Sequence, residues 1–177
     1  KHVHAPLQLG SDAVLKRIKR RYRARHYEDR MSRAYELMPE AAYGADVMTG
    51  FPGETEAEFR ETYEFVERMP LTYLHVFTYS ERPGTPAAAG VQVPHQVRKE
   101  RTRALRELGA RKNLEFRRRM VGRTLSAVTL DNGTALTENY LSVEMAGPRA
   151  ANEIVDLRIG GLTTNGVTEA GLLTVLR

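Results

Sequence analysis

The chain has 177 residues, of which 41% are hydrophobic, a net charge of +5 and no cysteine. That length holds one domain or two small ones, and the apolar content supports a real core and argues against global disorder. Within this sequence the lack of cysteine excludes disulfides, zinc–thiolate sites, iron–sulfur ligation and a cysteine nucleophile, and no apolar run reaches the length of a membrane span.

His2 to Leu7 reads as a short strand, followed by a turn at Leu9-Gly10-Ser11. Ser11 or Asp12 caps a helix carrying Val14, Leu15 and Ile18 at helical spacing. Residues 22–25 break that helix, and a second runs from about residue 27 to Leu37, ending before Pro39. Tyr43 to Thr49 is a strand that ends in Gly50-Phe51-Pro52-Gly53, where two glycines permit close backbone approach and a proline removes a donor. Thr55 with Glu58 three residues on has the spacing of a capping box, which starts a helix over Glu56 to Arg68. Leu71 to Tyr79 is the third strand, aromatic and β-branched. Gln96 to Met120 predicts a long basic helix with Val97, Leu105, Leu108, Leu114 and Phe116 buried, in which Gly109 costs about 1 kcal/mol relative to alanine.

After Gly122 the texture changes to short strands with glycine turns. Expected strands are Thr124 to Thr129, Ala135 to Met145, Glu153 to Ile159 and Leu172 to Leu176, with a hairpin signal at Asp131-Asn132-Gly133 and a turn at Gly160-Gly161. The fold class is therefore α/β followed by all-β. Residues 1–95 carry βαβ units with a parallel sheet, residues 96–120 a connecting helix, and residues 121–177 a small antiparallel barrel. Three parallel strands cannot close a barrel, so the chain reads as the C-terminal part of something larger. Its open edge predicts either dimerisation there or poor solution behaviour.

Charge is unevenly placed. Residues 16–33 and 98–119 each carry a net +7, whereas residues 122–177 carry −2. Two basic stretches on an otherwise acidic chain suit a polyanion such as RNA, with Arg98, Arg101, Arg111 and Arg118 among the candidate phosphate contacts. His75, Phe77 and Tyr79 share one face of the third strand by the two-residue period. His2 and His4 also share a face, but two histidines without a third ligand predict no metal site.

Three segments fall at strand ends: Pro6 to Asp12, Asp46 to Thr55, and Leu74 to Thr85. In this order they closely resemble the late strands of the radical S-adenosylmethionine barrel of the methylthiotransferase family, which implies an incomplete TIM-type barrel over residues 1–95 and an OB-like barrel over residues 121–177. The tail resembles that family's small RNA-binding TRAM domain, with Thr137-Glu138-Asn139-Tyr140 similar to its second strand, and Tyr73 to Pro86 looks most like the branch that modifies threonylcarbamoyladenosine in tRNA. The resemblance implies a cytoplasmic enzyme that adds a methylthio group to carbon 2 of N6-threonylcarbamoyladenosine at tRNA position 37, using S-adenosylmethionine and two [4Fe-4S] clusters. Neither cluster's cysteines are in this sequence, so no catalytic residue is assigned here and the chain alone should be inactive without the N-terminal part of the same protein.

By the same resemblance Gly50 and Glu54 border the adenine of the cofactor. Gln8 and Ser11 meet its ribose or methionine part, Arg21 pairs a carboxylate, and Phe77 belongs to the same site. His75 and Tyr79 flank the substrate or the adenine. Asn139 and Tyr140 supply hydrogen bonding and a stacking platform for an unpaired RNA base. The alternatives are a stand-alone RNA-binding or adaptor module, and a methylthiotransferase acting on another tRNA adenosine or on a ribosomal protein.

Overall fold

The structure, a computed structural model, describes residues 1–171. The expected strand over 172–176 lies outside the described residues. In chain order the elements are β1 (His2–His4), α1 (Asp12–Arg17), α2 (Ala24–Leu37), β2 (Ala42–Thr49), α3 (Glu56–Arg68), β3 (Tyr73–Thr78), α4 (His95–Met120), β4 (Thr124–Thr129), β5 (Thr134–Thr137), β6 (Ser142–Glu144), β7 (Ile154–Leu162) and β8 (Val167–Glu169). They divide into two compact units, one of residues 3–39 and 43–112, the other of residues 1–2, 40–42 and 113 onward.

The first unit is a three-stranded sheet in the order β1-β2-β3 with helices packed on it. β2 and β3 run parallel, from Gly44 opposite Tyr73 to Thr49 opposite Thr78. One face of β2, carrying Tyr43, Ala45, Val47 and Thr49, is fully buried. The other face, with Gly44, Asp46, Met48, Tyr73, His75 and Phe77 in register, is left largely open, and Phe77 is 55% exposed. Gly44 is required by this face, because the Tyr73 ring crosses it and a Cβ would lie 1.9 Å from Cζ of that ring.

α3 forms where the capping box is written. Thr55 Oγ1 accepts from the Glu58 N–H and Glu58 Oε2 accepts from the Thr55 N–H, while Phe59, Phe65 and Val66 go into the core. α4 is fastened by Thr102, whose Oγ1 lies 2.7 Å from those of both Thr49 and Thr78. Farther along α4, Gly109 lets the helix approach Leu74, where a Cβ would sit 3.2 Å from the leucine Cβ.

The second unit is a closed five-stranded barrel in the order β4-β5-β6-β8-β7. Its core holds Leu125, Ala127, Ala135, Val143, Leu157, Ile159 and Val167. Four findings correct the sequence reading. The barrel is mixed and not purely antiparallel, because β6 and β8 pair in parallel. The single strand expected over 135–145 is two strands, β5 and β6, split by a turn at Glu138 to Leu141. There Tyr140 takes the left-handed conformation with φ 67°, and the Leu141 N–H donates to Thr137 Oγ1 at 2.8 Å. Gly160-Gly161 is a bulge inside β7 and not a turn, since Gly160 lies against Ala170, whose Cα would be 2.6 Å from an added Cβ. β8, the strand that closes the barrel, was not foreseen.

Candidate functional site

The three parallel strands end in loops that carry most of the expected ligand residues. After β1 the backbone makes one more bridge to β2 at Gln8, which donates to Asp46 O and accepts from the Met48 N–H at 2.8 and 2.7 Å. Gln8 does so at φ 69°, a left-handed conformation that is uncommon for a residue with a β-carbon. Such strain collects at functional sites. Ser11 is the N-cap residue of α1, yet its side chain makes no capping bond. Its Oγ is buried with no hydrogen-bond partner, which removes the expectation that capping is its role.

The turn after β2 is organised by a buried ion pair. Glu54 Oε2 accepts from the Gly50 N–H at 2.8 Å and from Arg101 Nη1 at 2.8 Å, and Arg101 also reaches Glu54 O and Glu56 Oε2. The Glu54 side chain is fully buried and that of Arg101 is 6% exposed. Burial pushes the Glu54 carboxyl above its ordinary value, and the Gly50 N–H and Arg101 only partly pull it back. The Arg101 guanidinium is thus engaged by Glu54 and Glu56, with little of it free for the phosphate expected of it from the sequence. Gly50, at φ 73°, is covered by the aliphatic stem of Arg98, whose Cγ would lie 2.3 Å from an added Cβ. The close approach expected at Gly50 is thus made by Arg98, which also donates to Tyr79 O at 3.3 Å. This ties the β2 and β3 ends together and leaves Arg98 largely buried, with little of its side chain free for a phosphate.

Tyr79 packs edge-on against Phe51. Its hydroxyl, the Ser11 Oγ and the Glu54 Oε1 are buried and unpartnered, and each follows a different parallel strand. Orphaned polar atoms of this kind call for a ligand or water. A cleft of about 510 Å³ lies close by, lined by Arg17, Ile18, Phe51, Pro52 and Ala87 among others. Arg21 is exposed in the bend between α1 and α2. No residue of the chain fits an iron–sulfur cluster through a thiolate, because there is no cysteine.

On the open sheet face, β1, β2 and β3 each contribute one polar side chain to a single cluster. His4 Nε2 lies 3.0 Å and His75 Nδ1 3.3 Å from the same oxygen, Asp46 Oδ1. His4 Nδ1 is 2.9 Å from the Tyr73 hydroxyl. Phe77 stands next along β3 on the same face. Sequence reading singled out His75 but missed His4 and Asp46 as its partners. The available signal was an aspartate inside an otherwise apolar strand.

Of the basic residues on α4, Arg111 is exposed and pairs with Glu67 at 2.6 Å, and Arg118 is exposed. Arg117, which belongs to the same basic run, is 7% exposed and donates to the carbonyls of Thr163 and Gly166 in the turn between β7 and β8. In the barrel unit Asn139 is 1% exposed and bonded to Thr137 Oγ1 and Glu40 O, so its side chain is engaged in holding the turn. Tyr140 is 60% exposed and stacks on His2 with ring centroids 4.5 Å apart.

Residues 1–66 match the model of the radical SAM superfamily. The chain is 38% identical over 89% of its length to threonylcarbamoyladenosine tRNA methylthiotransferase MtaB of Aquifex aeolicus (strain VF5), of which it covers 39%. The protein of the same name from Rickettsia prowazekii (strain Madrid E) is 38% identical over 91% of this chain and 38% of its own length. The tRNA-2-methylthio-N(6)-dimethylallyladenosine synthase of Nocardia farcinica (strain IFM 10152) is 37% identical over 98% of the chain and 34% of its own length. The chain thus spans less than two fifths of the length of these relatives.

Proposed function

We propose, from the premise that this chain belongs to the radical SAM methylthiotransferase family, that it supplies the S-adenosylmethionine-facing strand ends and an RNA-facing barrel to an enzyme that methylthiolates N6-threonylcarbamoyladenosine in tRNA. The observation that carries this reading is the set of unpartnered polar atoms at three consecutive parallel strand ends, Ser11 Oγ, Glu54 Oε1 and Tyr79 OH. Ser11, Glu54 and Tyr79, with the strained Gln8, would hold the nucleoside and methionine parts of S-adenosylmethionine. Bound there, that cofactor supplies radical-generating chemistry only beside an iron–sulfur cluster. The thiolates for such a cluster have to come from outside this sequence, and no reaction step is placed on these residues.

The β4–β8 barrel is proposed to be a TRAM domain. Tyr140, exposed and presented by a left-handed turn, offers a stacking surface for an unpaired base. Arg111 and Arg118 are among the exposed cations of the basic run and suit phosphates.

The experiment replaces the matching segment of the Aquifex aeolicus relative with this chain, expresses the chimera in a strain lacking the 2-methylthio modification, and analyses tRNA nucleosides by mass spectrometry. The expected product is 2-methylthio-N6-threonylcarbamoyladenosine. Modification of a dimethylallyl adenosine instead would overturn the substrate, and a folded but inactive chimera would overturn the assignment of these strand ends.

A further inference from the structure

We infer that the open face of the parallel sheet carries a site for a divalent transition-metal cation, formed by His4 from β1, Asp46 from β2 and His75 from β3. The inference does not rest on the methylthiotransferase reading; it concerns residues away from the strand-end atoms discussed above, and its readout is metal binding.

The geometry is that of a ligand set. One potential ligand atom from each of the three residues lies within 4.8 Å of the others. Two nitrogen or oxygen ligands about 2.0–2.2 Å from a tetrahedral cation are about 3.3 Å apart. The His75 contact to Asp46 Oδ1, 3.3 Å, has that length, and the His4 contact, 3.0 Å, needs only a small outward shift of the ring. The three residues come from adjacent strands, so the sheet register fixes their spacing: Asp46 is directly opposite His75. The side chains are partly exposed, His4 29%, Asp46 28% and His75 57%, which leaves room for one or more further ligands from solvent. Two imidazoles and one carboxylate with open positions are the donor set of borderline cations such as Zn²⁺ or Fe²⁺, and lack the oxygen count that Ca²⁺ or Mg²⁺ requires.

The surroundings supply a second shell. Metal-bound histidine usually donates its remaining ring N–H to a neighbouring acceptor, which fixes the tautomer. With a cation on Nε2 of His4, the proton resides on Nδ1, and the Tyr73 hydroxyl 2.9 Å away accepts it. Without a cation, Nε2–H donates to Asp46 and the Tyr73 hydroxyl donates to Nδ1. The cluster thus takes up a cation by giving up one hydrogen bond, His4 Nε2–H to Asp46, and reversing the other, between His4 Nδ1 and the Tyr73 hydroxyl. A simple hydrogen-bonded network explains the same contacts but not why two imidazoles converge on one carboxylate oxygen between strands already paired through their backbones.

The test is calorimetric titration of the full 177-residue chain with ZnCl₂, with Mg²⁺ as the hard-cation control. The chain has only five histidines and no cysteine, which limits competing sites. The expected result is one Zn²⁺ per chain and no response to Mg²⁺. His75→Ala and Asp46→Asn should each weaken Zn²⁺ binding at least about tenfold, Tyr73→Phe should weaken it about tenfold, and His26→Ala should leave it unchanged. Nitrogen NMR of His4 should show the ring proton move from Nε2 to Nδ1 on adding Zn²⁺. His75 is exposed, so its alanine variant is expected to keep the wild-type melting temperature; Asp46→Asn, which preserves shape, gives a second reading if it does not. Absence of saturable one-to-one binding, or binding equal in wild type, His75→Ala and Asp46→Asn, overturns the site.

Discussion

Glu54 and Glu58 stand four residues apart at the start of one helix, and their surroundings move them in opposite directions. Arg17 donates twice to Glu58, at 2.8 Å each, and with the Thr55 bonds this lowers the Glu58 carboxyl to about 2 despite partial burial. An acid held below its unfolded value stabilises the fold above that unfolded value, 4.5, and loses the contribution as pH falls toward 2. Urea unfolding at pH 6 and at pH 3 should therefore show a decrease that Arg17→Ala removes. The expected size is on the order of 1–2 kcal/mol, because Arg17 is partly solvated. Glu54 behaves in the reverse sense. Its carboxyl is raised by burial, so its contribution is complete below the unfolded value and declines as pH rises through the folded one. Arg101→Ala would leave that carboxylate buried without its cation, at a cost of about 3–5 kcal/mol, read as a fall in the urea midpoint. Arg101→Lys, which keeps charge but not the two-pronged reach to Glu54 and Glu56, should recover only part of it.

At the scale of elements, local signals in the sequence were reliable where the structure is held locally. The Thr55–Glu58 box sets the start of α3, and Thr55→Ala should cost about 1 kcal/mol in thermal or urea unfolding. Signals failed where a distant contact decides. The turn that breaks β5 from β6 is held by Asn139, whose Nδ2 donates to Glu40 O 99 positions earlier, and strand-forming residues on both sides conceal it. Gly160 reads as a turn in sequence, but the space it saves is taken by Ala170 ten positions on. Gly109 carries a similar lesson. Alanine there would gain about 1 kcal/mol of helix propensity, but its Cβ would press on Leu74 at 3.2–3.3 Å, so the net change in stability should fall near zero. A gain of the full propensity value would show that Leu74 yields freely.

For the molecule as a whole, net charge was a poor guide to which basic residues are free to meet a polyanion. Arg101 and Arg117 contribute to the basic run, yet both are buried and bonded to the protein's own oxygens. Under the proposed function, binding of this chain to a tRNA anticodon stem-loop should weaken steeply with salt. Arg118→Ala should reduce the slope of log affinity against log salt by about 1, and Arg111→Ala by less, since Glu67 already neutralises it. Equal slopes in wild type and both variants would place the RNA elsewhere. The candidate site was legible to the same partial degree. The three strand-end segments could be recognised because each is continuous in sequence. The His4–Asp46–His75 cluster could not, because only the register of three strands brings those residues together.

The parallel pairing of β6 with β8 has a kinetic side. β4, β5 and β6 are neighbours in sequence and pair antiparallel, so they can zip as successive hairpins; β7 and β8 form another hairpin, whose connecting turn Arg117 grips. The β4–β7 and β6–β8 seams each close a long loop, but β6–β8 sets only two paired positions, Val143 with Val167 and Glu144 with Thr168, against that entropy, where β4–β7 sets five. Barrel closure is therefore the late step of folding for this unit, and its reversal the first opening available to it. In native-state hydrogen exchange, the β6–β8 seam should lose protection while the β4–β5 and β4–β7 ladders still hold theirs.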